Sequence, residues 1–392
     1  MNTIKWPGQQ TLQAWRHDFH RHPETAYQEH RTSQRVTELL QSFGLEVHTG
    51  LAGTGVVAVL RGKRGDGPSI GLRADMDALH VQELNNCEHK SVNEGRMHAC
   101  GHDGHTTMLL GAAQALASNP DFAGTVHFIF QPAEENEGGA RTMIEQGLFE
   151  RFPMDAVYSM HNWPGLPVDT AAVHSTAVMA AFDIFDLTLT GKGCHAAMPH
   201  LGKDALLAAC QLVTQLPALI AREQEVHKPA VLSVTSFNAG DTYNVMPEVI
   251  KLRGTVRCFD MEQRARIEQR FRDAIAATCT LHGLEAQLDY RVSYPATINH
   301  PEHADICAEV LTQVLGEGNV RRDLKPSMAS EDFSFMSQTR PGVYIWMGNG
   351  EDSASLHNPK YDFNDNVLPK GVQYFVELVY ALLRDGKLPK AG

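Results

Sequence analysis

The segment MHACGHDGH gathers several metal-binding and acid–base side chains into nine residues: His98, Cys100, His102, Asp103 and His105. Cys100 and His102 are separated by one residue, so an extended loop can direct the thiolate and the imidazole toward one ion. Gly101 and Gly104 permit a tight backbone around that ion. Sulfur and nitrogen ligands of this kind suit zinc and related divalent ions. We therefore expect Cys100 and His102 to be metal ligands, and His98 and His105 to be supporting or structural groups.

Three further segments place metal-binding side chains at or shortly after the ends of strand-like runs: QPAEENEGG, SMHNW and SLHNP, with Glu134, Glu135, His161 and His357. Neighbouring side chains on an extended backbone point to opposite sides, so one glutamate is expected to bind metal while the other faces the substrate. Metal-dependent hydrolysis needs that division, because the ion acidifies a water and a separate carboxylate takes its proton. The four segments together predict a hydrolytic metal centre.

Two other polar groups call for a different interpretation. Asp75 and Asp77 in LRADMDAL end a strand-like run, and we expect them to orient histidine ligands rather than to bind metal. His17, His20 and His22 in WRHDFHRHPE resemble a metal cluster, but they fall on a predicted surface helix and are not expected to be ligands.

The elements that must position these residues alternate between strands and helices from residue 55 to residue 163. This alternation predicts a mostly parallel sheet with helices on both faces, and ligands bind at the carboxyl ends of such strands. From 182 to 294 the pattern becomes β-α-β-β-α-β, which is typical of a ferredoxin-like layer. We expect an α/β catalytic domain at 1–181 and 295–392, interrupted by an α+β domain at 182–294.

Composition limits the class of protein. The chain of 392 residues carries a net charge of −12, which argues against nucleic acid as a partner. Its seven cysteines include no CxxC pair, which is typical of a reduced protein. The N-terminal residues have no apolar signal-like region, and no run resembles a membrane span of ~20 apolar residues. We therefore expect a cytoplasmic protein without a membrane partner.

Eight motifs in this order resemble one known family: GLRADMDAL, MHACGHDGHTTMLLGAA, FQPAEENEGGA, MHNWPGLP, GKGCHAAMPH, NVMPEVIKLRGTVR, ASEDF and LHNP. The chain is similar to the aminoacylase–carboxypeptidase superfamily of dinuclear metal amidohydrolases. Its motifs fit the branch of hippurate hydrolases, N-acyl-L-amino acid amidohydrolases and auxin-conjugate hydrolases. The resemblance runs from about residue 15 to residue 380.

The resemblance implies two divalent ions per subunit (zinc, manganese, cobalt or nickel) and a role for each site residue. Cys100 would bridge the ions, and His102, Glu135, His161 and His357 would complete the ligands. Glu134 would be the general base. The inserted domain would be a lid and dimerisation domain, forming a homodimer or higher homo-oligomer. Its His195 would support the oxyanion in a neighbouring subunit, and Asn244 and Arg257 would hold the substrate.

The sequence departs from the family at Cys194, where the family usually has glycine, so an altered loop or an added thiol beside His195 is expected. The predicted reaction is hydrolysis of N-acyl amino acids to a carboxylic acid and a free amino acid. The same metal centre would also serve a dipeptidase, a carboxypeptidase or a deacetylase of an N-acetylated intermediate. Two alternatives of other classes are a cysteine hydrolase with Cys100 as nucleophile and a binding protein without activity.

Overall fold

The apolar runs GVVAVLR, SIGLRAD and TVHFIFQ form neighbouring strands of one large sheet in the computed structural model, which describes residues 4–135 and 137–389. Nearly all side chains of these strands are buried, as expected of strands that are covered on both faces. The strands of the described residues are, in chain order, β1 (Glu46–Leu51), β2 (Gly55–Arg61), β3 (Ser69–Asp75), β4 (Thr125–Gln131), β5 (Ala156–Pro164), β6 (Ala171–Ala172), β7 (Ala177–Met179), β8 (Ala181–Thr190), β9 (Cys194–His195), β10 (Ala230–Ala239), β11 (Val245–Met246), β12 (Val249–Cys258), β13 (Glu285–Tyr294), β14 (Thr297–Ile298), β15 (Val320–Arg321) and β16 (Gly342–Gly350).

The α-helices of the described residues are α1 (Gln9–Arg21), α2 (His30–Ser42), α3 (His102–Ser118), α4 (Gly139–Glu145), α5 (Leu148–Arg151), α6 (Ala205–Glu223), α7 (Met261–His282), α8 (Pro301–Leu315), α9 (Phe333–Thr339) and α10 (Leu368–Val379). Contacts divide the chain into two units. The larger contains the described residues up to Val178, Ile298–Lys325, and the described residues from Asp332 onward. The smaller contains Met179–Thr297 and Pro326–Glu331.

The sheet of the larger unit has the order β1-β2-β4-β3-β5-β16-β6-β15. Strands β4, β3, β5 and β16 pair in parallel, and the antiparallel pairings lie toward the margins. Alternate residues of β16 face different layers: Ile345 joins the core formed with α1, α3, α8 and α10, whereas the Tyr344 ring contacts Phe333 of α9. The predicted α/β class, a mostly parallel sheet flanked by helices, is confirmed.

The smaller unit contains a four-stranded sheet of order β10-β12-β8-β13, with every neighbouring pair antiparallel. Strand β8 alternates strictly between buried and half-buried side chains, as expected of a sheet with one covered face. Helices α6 and α7 supply the cover, since Leu212 and Phe271 belong to the core that includes Leu187 of β8. The element order is the β-α-β-β-α-β pattern of a ferredoxin-like layer.

Three segments differ from the sequence-based assignment. We expected residues 1–181 and 295–392 to lie wholly in the larger domain, but contacts place residues 179–181, residues 295–297 and Pro326–Glu331 in the smaller unit. The N–H of Ala180 donates to the carbonyls of Ser327 and Ala329, and Arg257 Nη1 donates to the Met328 carbonyl at 2.9 Å. Such backbone pairing between distant segments leaves no periodic trace in the sequence.

Helix α6 also corrects the expectation that no segment resembles a membrane span. Among the described helices, it alone is long and apolar enough to cross a bilayer by length and composition. However, Ala208, Leu212 and Leu216 pack in the core of the smaller unit, and the Asp204 side chain accepts from the Leu207 N–H at 2.9 Å as an N-cap. The described contacts are those of an amphipathic helix on a sheet.

The expectation of a surface position is wrong for His20, which is fully buried in α1. Its Nδ1 lies 2.8 Å from Asp103 Oδ2, and its Nε2 lies 3.3 Å from Glu83 Oε1. Although burial opposes the charged form, the hydrogen bond and the charge of Asp103 raise the pKa of His20 to about 9. The N-terminal helix is thereby fixed to the first turn of α3, directly after the predicted ligand His102.

His20→Asn should destabilise the protein by about 3 kcal/mol at pH 6, and this loss should shrink as the pH rises through 9. The sign follows because the folded-state pKa exceeds the ordinary value. The ion pair contributes fully below pH 6.5 and is lost as the imidazolium deprotonates in the folded protein. Urea unfolding between pH 6 and 10 measures the difference, with His22→Asn, at the C-cap of the same helix, as the control. A loss that does not depend on pH would contradict an ion pair.

Candidate metal centre

The loop that ends in Gly101 and His102 forms a tight left-handed turn before α3. Gly101 has φ 92°, and a Cβ there would lie 2.2 Å from Asn162 Oδ1, so both the backbone angle and the space require glycine. Cys100 and His102 flank this residue and are buried. The turn is held at the carboxyl edge of the sheet because Thr106 Oγ1, one helical turn later, donates to the Asp75 carbonyl at 2.8 Å.

The five predicted ligands and Glu134 converge in the larger unit. Their ligand-capable atoms form three overlapping groups, each with all atoms within 4.8 Å of one another: Cys100, His102 and His161; Cys100, Glu135 and His357; His102, Glu134 and Glu135. Cys100 Sγ lies 3.4 Å from His161 Nε2, and His357 Nε2 lies 3.1 Å from Glu135 Oε1. One thiol, three imidazoles and two carboxylates therefore surround a common space.

The hydrogen bonds of two histidines leave a lone pair directed into that space. His102 Nδ1 lies 2.8 Å from the Asp77 carbonyl, and His161 Nδ1 lies 2.6 Å from the Asn162 carbonyl. Because a carbonyl only accepts, each Nδ1 carries a proton, and in the neutral ring that a metal binds, each Nε2 keeps its lone pair. His102 Nε2 is buried and has no hydrogen-bond partner among the described residues. A metal ion is the group that both atoms fit.

The electrostatics of Cys100 lead to the same conclusion. Burial, followed by the charges of Glu135 and Glu134, raises the pKa of the Cys100 thiol well above its usual range. A nucleophilic cysteine needs the opposite shift, since its thiolate is the reactive form. A divalent cation would neutralise the carboxylates and stabilise the thiolate as a ligand. The surroundings of Cys100 favour a metal ligand over a nucleophile.

His357 approaches the cluster from a strained backbone position. Its φ is 65°, which is unusual for a residue with a side chain, and its N–H donates to the Ala99 carbonyl at 2.8 Å. The bond fixes His357 to the loop that carries Cys100. Its side chain is 54% exposed, in contrast to the buried His102 and His161. His357 therefore lies at the open side of the centre.

The turn that presents the two glutamates is held by two other acids. The Asp77 carboxylate accepts from the Glu134 N–H at 3.1 Å and the Glu135 N–H at 3.0 Å. Glu29 accepts from the N–H of Ala133, whose φ of 56° starts the turn. Burial, and then the charge of Asp77, raises the pKa of Glu29 to about 7. Asp77 thus contacts His102, as we expected of a group that orients a histidine ligand, and it also orients the two glutamates.

We expect Asp77→Asn to weaken metal binding by about 10–100-fold, the usual cost of changing a group that orients ligands. One of the two acceptor oxygens would become an NH₂ group facing a backbone N–H, so the turn would lose its support. Competition with a chelating dye measures the affinity, and exposed Asp66→Asn serves as the control. Unchanged affinity would show that the turn keeps its shape without Asp77.

Asp75 lies beneath the cluster and orients other groups. Its Oδ1 lies 2.6 Å from His105 Nδ1, and its Oδ2 accepts from Arg73 at 2.8 Å. His105 Nε2 lies 2.7 Å from Asn162 Oδ1, next to the predicted ligand His161. His105 is therefore placed as a supporting group. His98 is fully buried, and burial lowers its pKa to about 4.

Several residues of the centre were not identified from the sequence: Glu29, Arg73, Gln131, Asn162, and Tyr361, whose hydroxyl accepts from Asn162 Nδ2. Asp332 of the ASEDF motif donates its N–H to Glu134 Oε1 at 3.3 Å. The Asp332 carboxylate in turn accepts from Arg73 at 2.9 Å and from Gln131 at 2.8 Å. Only the run of polar residues at strand ends, RAD and FQP, signalled a buried network.

The remaining predicted site residues belong to the smaller unit. His195 in β9 pairs with Val245 in β11, and the N–H of Ala196 donates to the Asn244 carbonyl at 3.0 Å, so His195 and Asn244 are neighbours. His195 Nδ1 accepts from the Ala197 N–H at 3.1 Å. Its proton therefore resides on Nε2, which makes the exposed end of the ring a donor.

Arg257 and Cys194 both make contacts within the smaller unit. The Arg257 guanidinium lies 4.3 Å from the Phe182 ring centroid, and its Nη1 also donates to Ser330 Oγ at 2.9 Å. It thus fastens the segment Pro326–Glu331 within the smaller unit. Cys194 lies in β9, is not among the described residues with positive φ, and pairs with Met246. An extended backbone accommodates any side chain, so Cys194 fits β9 without backbone strain, and an altered loop relative to the family stays a prediction.

Known proteins share both the sequence and this architecture. The model of Peptidase family M20/M25/M40 matches residues 71–381. Hippurate hydrolase of Campylobacter jejuni is 38% identical over 369 residues, covering 94% of this chain and 96% of the relative. N-acetylcysteine deacetylase of Bacillus subtilis is 35% identical over 371 residues, covering 94% and 96%.

Solved structures agree with the sequence relatives. The Bacillus subtilis YXEP protein, described as a dinuclear metal binding peptidase from the M20 family, is 33% identical with a TM-score of 0.84. The match covers 96% of this chain and 98% of that protein. The resemblance drawn from the motifs is confirmed. The chain belongs to Peptidase family M20/M25/M40 and is a hydrolase of amide bonds.

Proposed function

We propose that this protein is an N-acyl amino acid amidohydrolase that uses two divalent metal ions, with zinc, manganese, cobalt and nickel as the candidates. The observation that carries the proposal is the convergence of one thiol, three imidazoles and two carboxylates at a single sheet edge. Cys100 lies in two of the three ligand groups, which fits a thiolate shared by two ions. Its relative in Bacillus subtilis, a dinuclear metal binding peptidase, supports the number of ions.

The residues divide the work of amide hydrolysis among them. When bound, the ions supply acidified water and polarise the scissile carbonyl. Glu134 is buried, and its N–H is fixed by Asp77, so its carboxylate is positioned to take the proton from the attacking water. The protonated Glu134 then returns that proton to the departing amine. The products are a carboxylic acid and an amino acid.

The charge that develops on the carbonyl oxygen needs a donor, and we assign this role to His195. Its Nδ1 accepts from the Ala197 N–H, so the Nε2 proton is available to an oxyanion without any change of charge. Asn244 lies beside it and is exposed, and we assign it to substrate binding together with Arg257.

Relatives support the substrate class without selecting one substrate. They include a hippurate hydrolase, an N-acetylcysteine deacetylase and a carboxypeptidase described as thermostable, from Saccharolobus solfataricus at 34% identity. Hydrolysis of N-acyl amino acids is the reaction we favour, with carboxypeptidase and N-acetyl deacetylase activity as the alternatives. We also propose a cytoplasmic location, which the seven unpaired cysteines support.

A substrate panel tests the proposal directly. Protein reconstituted with each of the four metals is assayed on N-benzoyl, N-acetyl and indole-3-acetyl amino acids and on dipeptides with a free amino group. We expect one N-acyl subset to be cleaved with two equivalents of metal bound, and cleavage to stop on chelation. Preference for free dipeptides would favour a peptidase. Absence of turnover on all of them by the metal-loaded protein would favour a binding protein.

We further propose that the smaller unit forms a homodimer and that His195 acts in the site of the partner subunit. Three large apolar side chains near His195 are exposed to solvent: the exposed fraction is 43% for Met198, 51% for Leu201 and 53% for Val245. An apolar patch around an exposed catalytic donor is expected where the donor enters a protein surface. The resemblance to the family supports this arrangement.

Mixing two inactive variants measures action across subunits. His195→Ala and Glu134→Gln are unfolded and refolded together in equal amounts. If His195 serves the partner, each mixed dimer has one intact site, and about a quarter of wild-type activity returns. If both residues act within one chain, each mixed dimer contains two defective sites and no activity returns. Light scattering reports the oligomeric state in the same samples.

A further inference from the structure

A second group of metal-binding side chains lies in the larger unit, among residues that the proposed reaction does not use. The ligand-capable atoms of Cys87, His89 and Asp362 lie within 4.8 Å of one another. His89 Nε2 is 3.0 Å from Asp362 Oδ2, and Cys87 Sγ is 3.9 Å from Glu83 Oε1. All three residues are half-buried, so an ion from solvent can reach them. Thiolate, imidazole and carboxylate are together the usual ligands of zinc.

The surroundings of this group carry more negative than positive charge. Arg16 and His20 hold this network together, and Arg16 Nη1 contacts Asp362 Oδ1 at 2.9 Å. Four carboxylates are linked to them through hydrogen bonds and ion pairs: Glu83, Asp103, Asp362 and Asp365. Arg16 is the permanent cation among these groups, so negative charge is in excess, and one divalent cation would reduce that excess.

Two neighbouring side chains, His17 and Arg16, contact this group without occupying all of its ligand atoms. The His17 ring stacks on His89 at 4.0 Å between centroids and so supports the His89 ring from one face. Arg16 contacts Asp362 Oδ1, whereas Asp362 Oδ2 faces His89 Nε2. This oxygen and this nitrogen can therefore both bind one cation.

We propose that Cys87, His89 and Asp362 form a further divalent metal site, separate from the ligands of the hydrolytic centre and suited to zinc or cobalt. Glu83 is the nearest further carboxylate and completes a tetrahedral set, or water takes that position. The ion would join the loop that carries Cys87 and His89 to the segment that follows His357. The site stabilises the fold and leaves the hydrolytic chemistry unchanged. The inference does not depend on the proposed substrate.

Metal counting on the intact protein tests the site. Wild type, Cys87→Ser and His89→Gln are equilibrated with buffered Zn²⁺, dialysed, and analysed by mass spectrometry for bound zinc. We expect each variant to hold one equivalent fewer than wild type while keeping its hydrolytic activity. Cys210→Ser, which removes an exposed thiol in the smaller unit, serves as the matched control and keeps the full count. The test compares the zinc count of wild type with that of each variant. Its result is therefore valid whatever number of ions the hydrolytic centre holds.

Cobalt provides an independent measurement. Co²⁺ bound to a thiolate absorbs in the near ultraviolet, so Cys100→Ser should retain part of this absorption through Cys87. The double variant Cys87→Ser, Cys100→Ser should lose it entirely. Equal zinc counts in wild type and both single variants, or no cobalt–thiolate absorption in Cys100→Ser, would overturn the proposal. A variant that loses zinc and unfolds early is consistent with a stabilising ion, provided that added Zn²⁺ raises the Tm of wild type and not of the variant.

Discussion

Replacement of Glu134 by glutamine is expected to lower kcat by about 10²–10⁴-fold, the usual contribution of a general acid–base group. Glutamine keeps the size of the side chain and cannot take a proton from water. The backbone of Glu134 stays fixed by Asp77, so the metal content should not change. Turnover of the best N-acyl substrate and bound metal are measured on the same preparation.

Glu137→Gln is the matched control, because Glu137 is exposed on the same turn. We expect it to leave kcat near the wild-type value. Near-normal turnover in Glu134→Gln would show that Glu134 is not the base. A large loss of metal in that variant would instead show that Glu134 is a metal ligand. This outcome is informative because Glu134 belongs to one of the three ligand groups.

Replacement of Cys100 separates a metal ligand from a nucleophile. Mutation of a residue that only orients the ligands typically weakens metal binding by ~10–100-fold. We expect Cys100→Ala to weaken it by more than this, and activity should fall with the metal content. Cys100→Asp should recover metal binding and part of the activity, because a carboxylate can also be shared by two ions. The reason lies in the position of Sγ, which takes part in two of the three ligand groups.

A cysteine hydrolase would give the opposite pattern. Cys100→Asp would then be as inactive as Cys100→Ala, and chelation would leave the wild type active. The raised pKa of the Cys100 thiol already argues against that mechanism, since burial and the two glutamates disfavour the thiolate. Cys307→Ala, at another buried cysteine of the larger unit, controls for the removal of a thiol from the core.

The sequence alone was sufficient to identify the family, the fold class and the residues that converge. Cys100, Glu135 and His161 each stand in a polar segment at a predicted sheet edge, and the parallel arrangement of strands brings such segments together. The spacing of Cys100 and His102 around Gly101 already indicated a common target. These features are local, so they leave a direct trace in residue order.

The tertiary structure decided how those residues are oriented and which of the others support them. Glu29 holds Ala133, and Asp332 contacts Glu134, across 104 and 198 residues of sequence. The burial of His20 depended on Asp103 and Glu83, which no helical periodicity in α1 reveals. The proton positions of His102 and His161 followed from the carbonyls they face. A sequence pattern predicts which face of an element is apolar, but polar partners far apart in the chain are specified only when the elements pack.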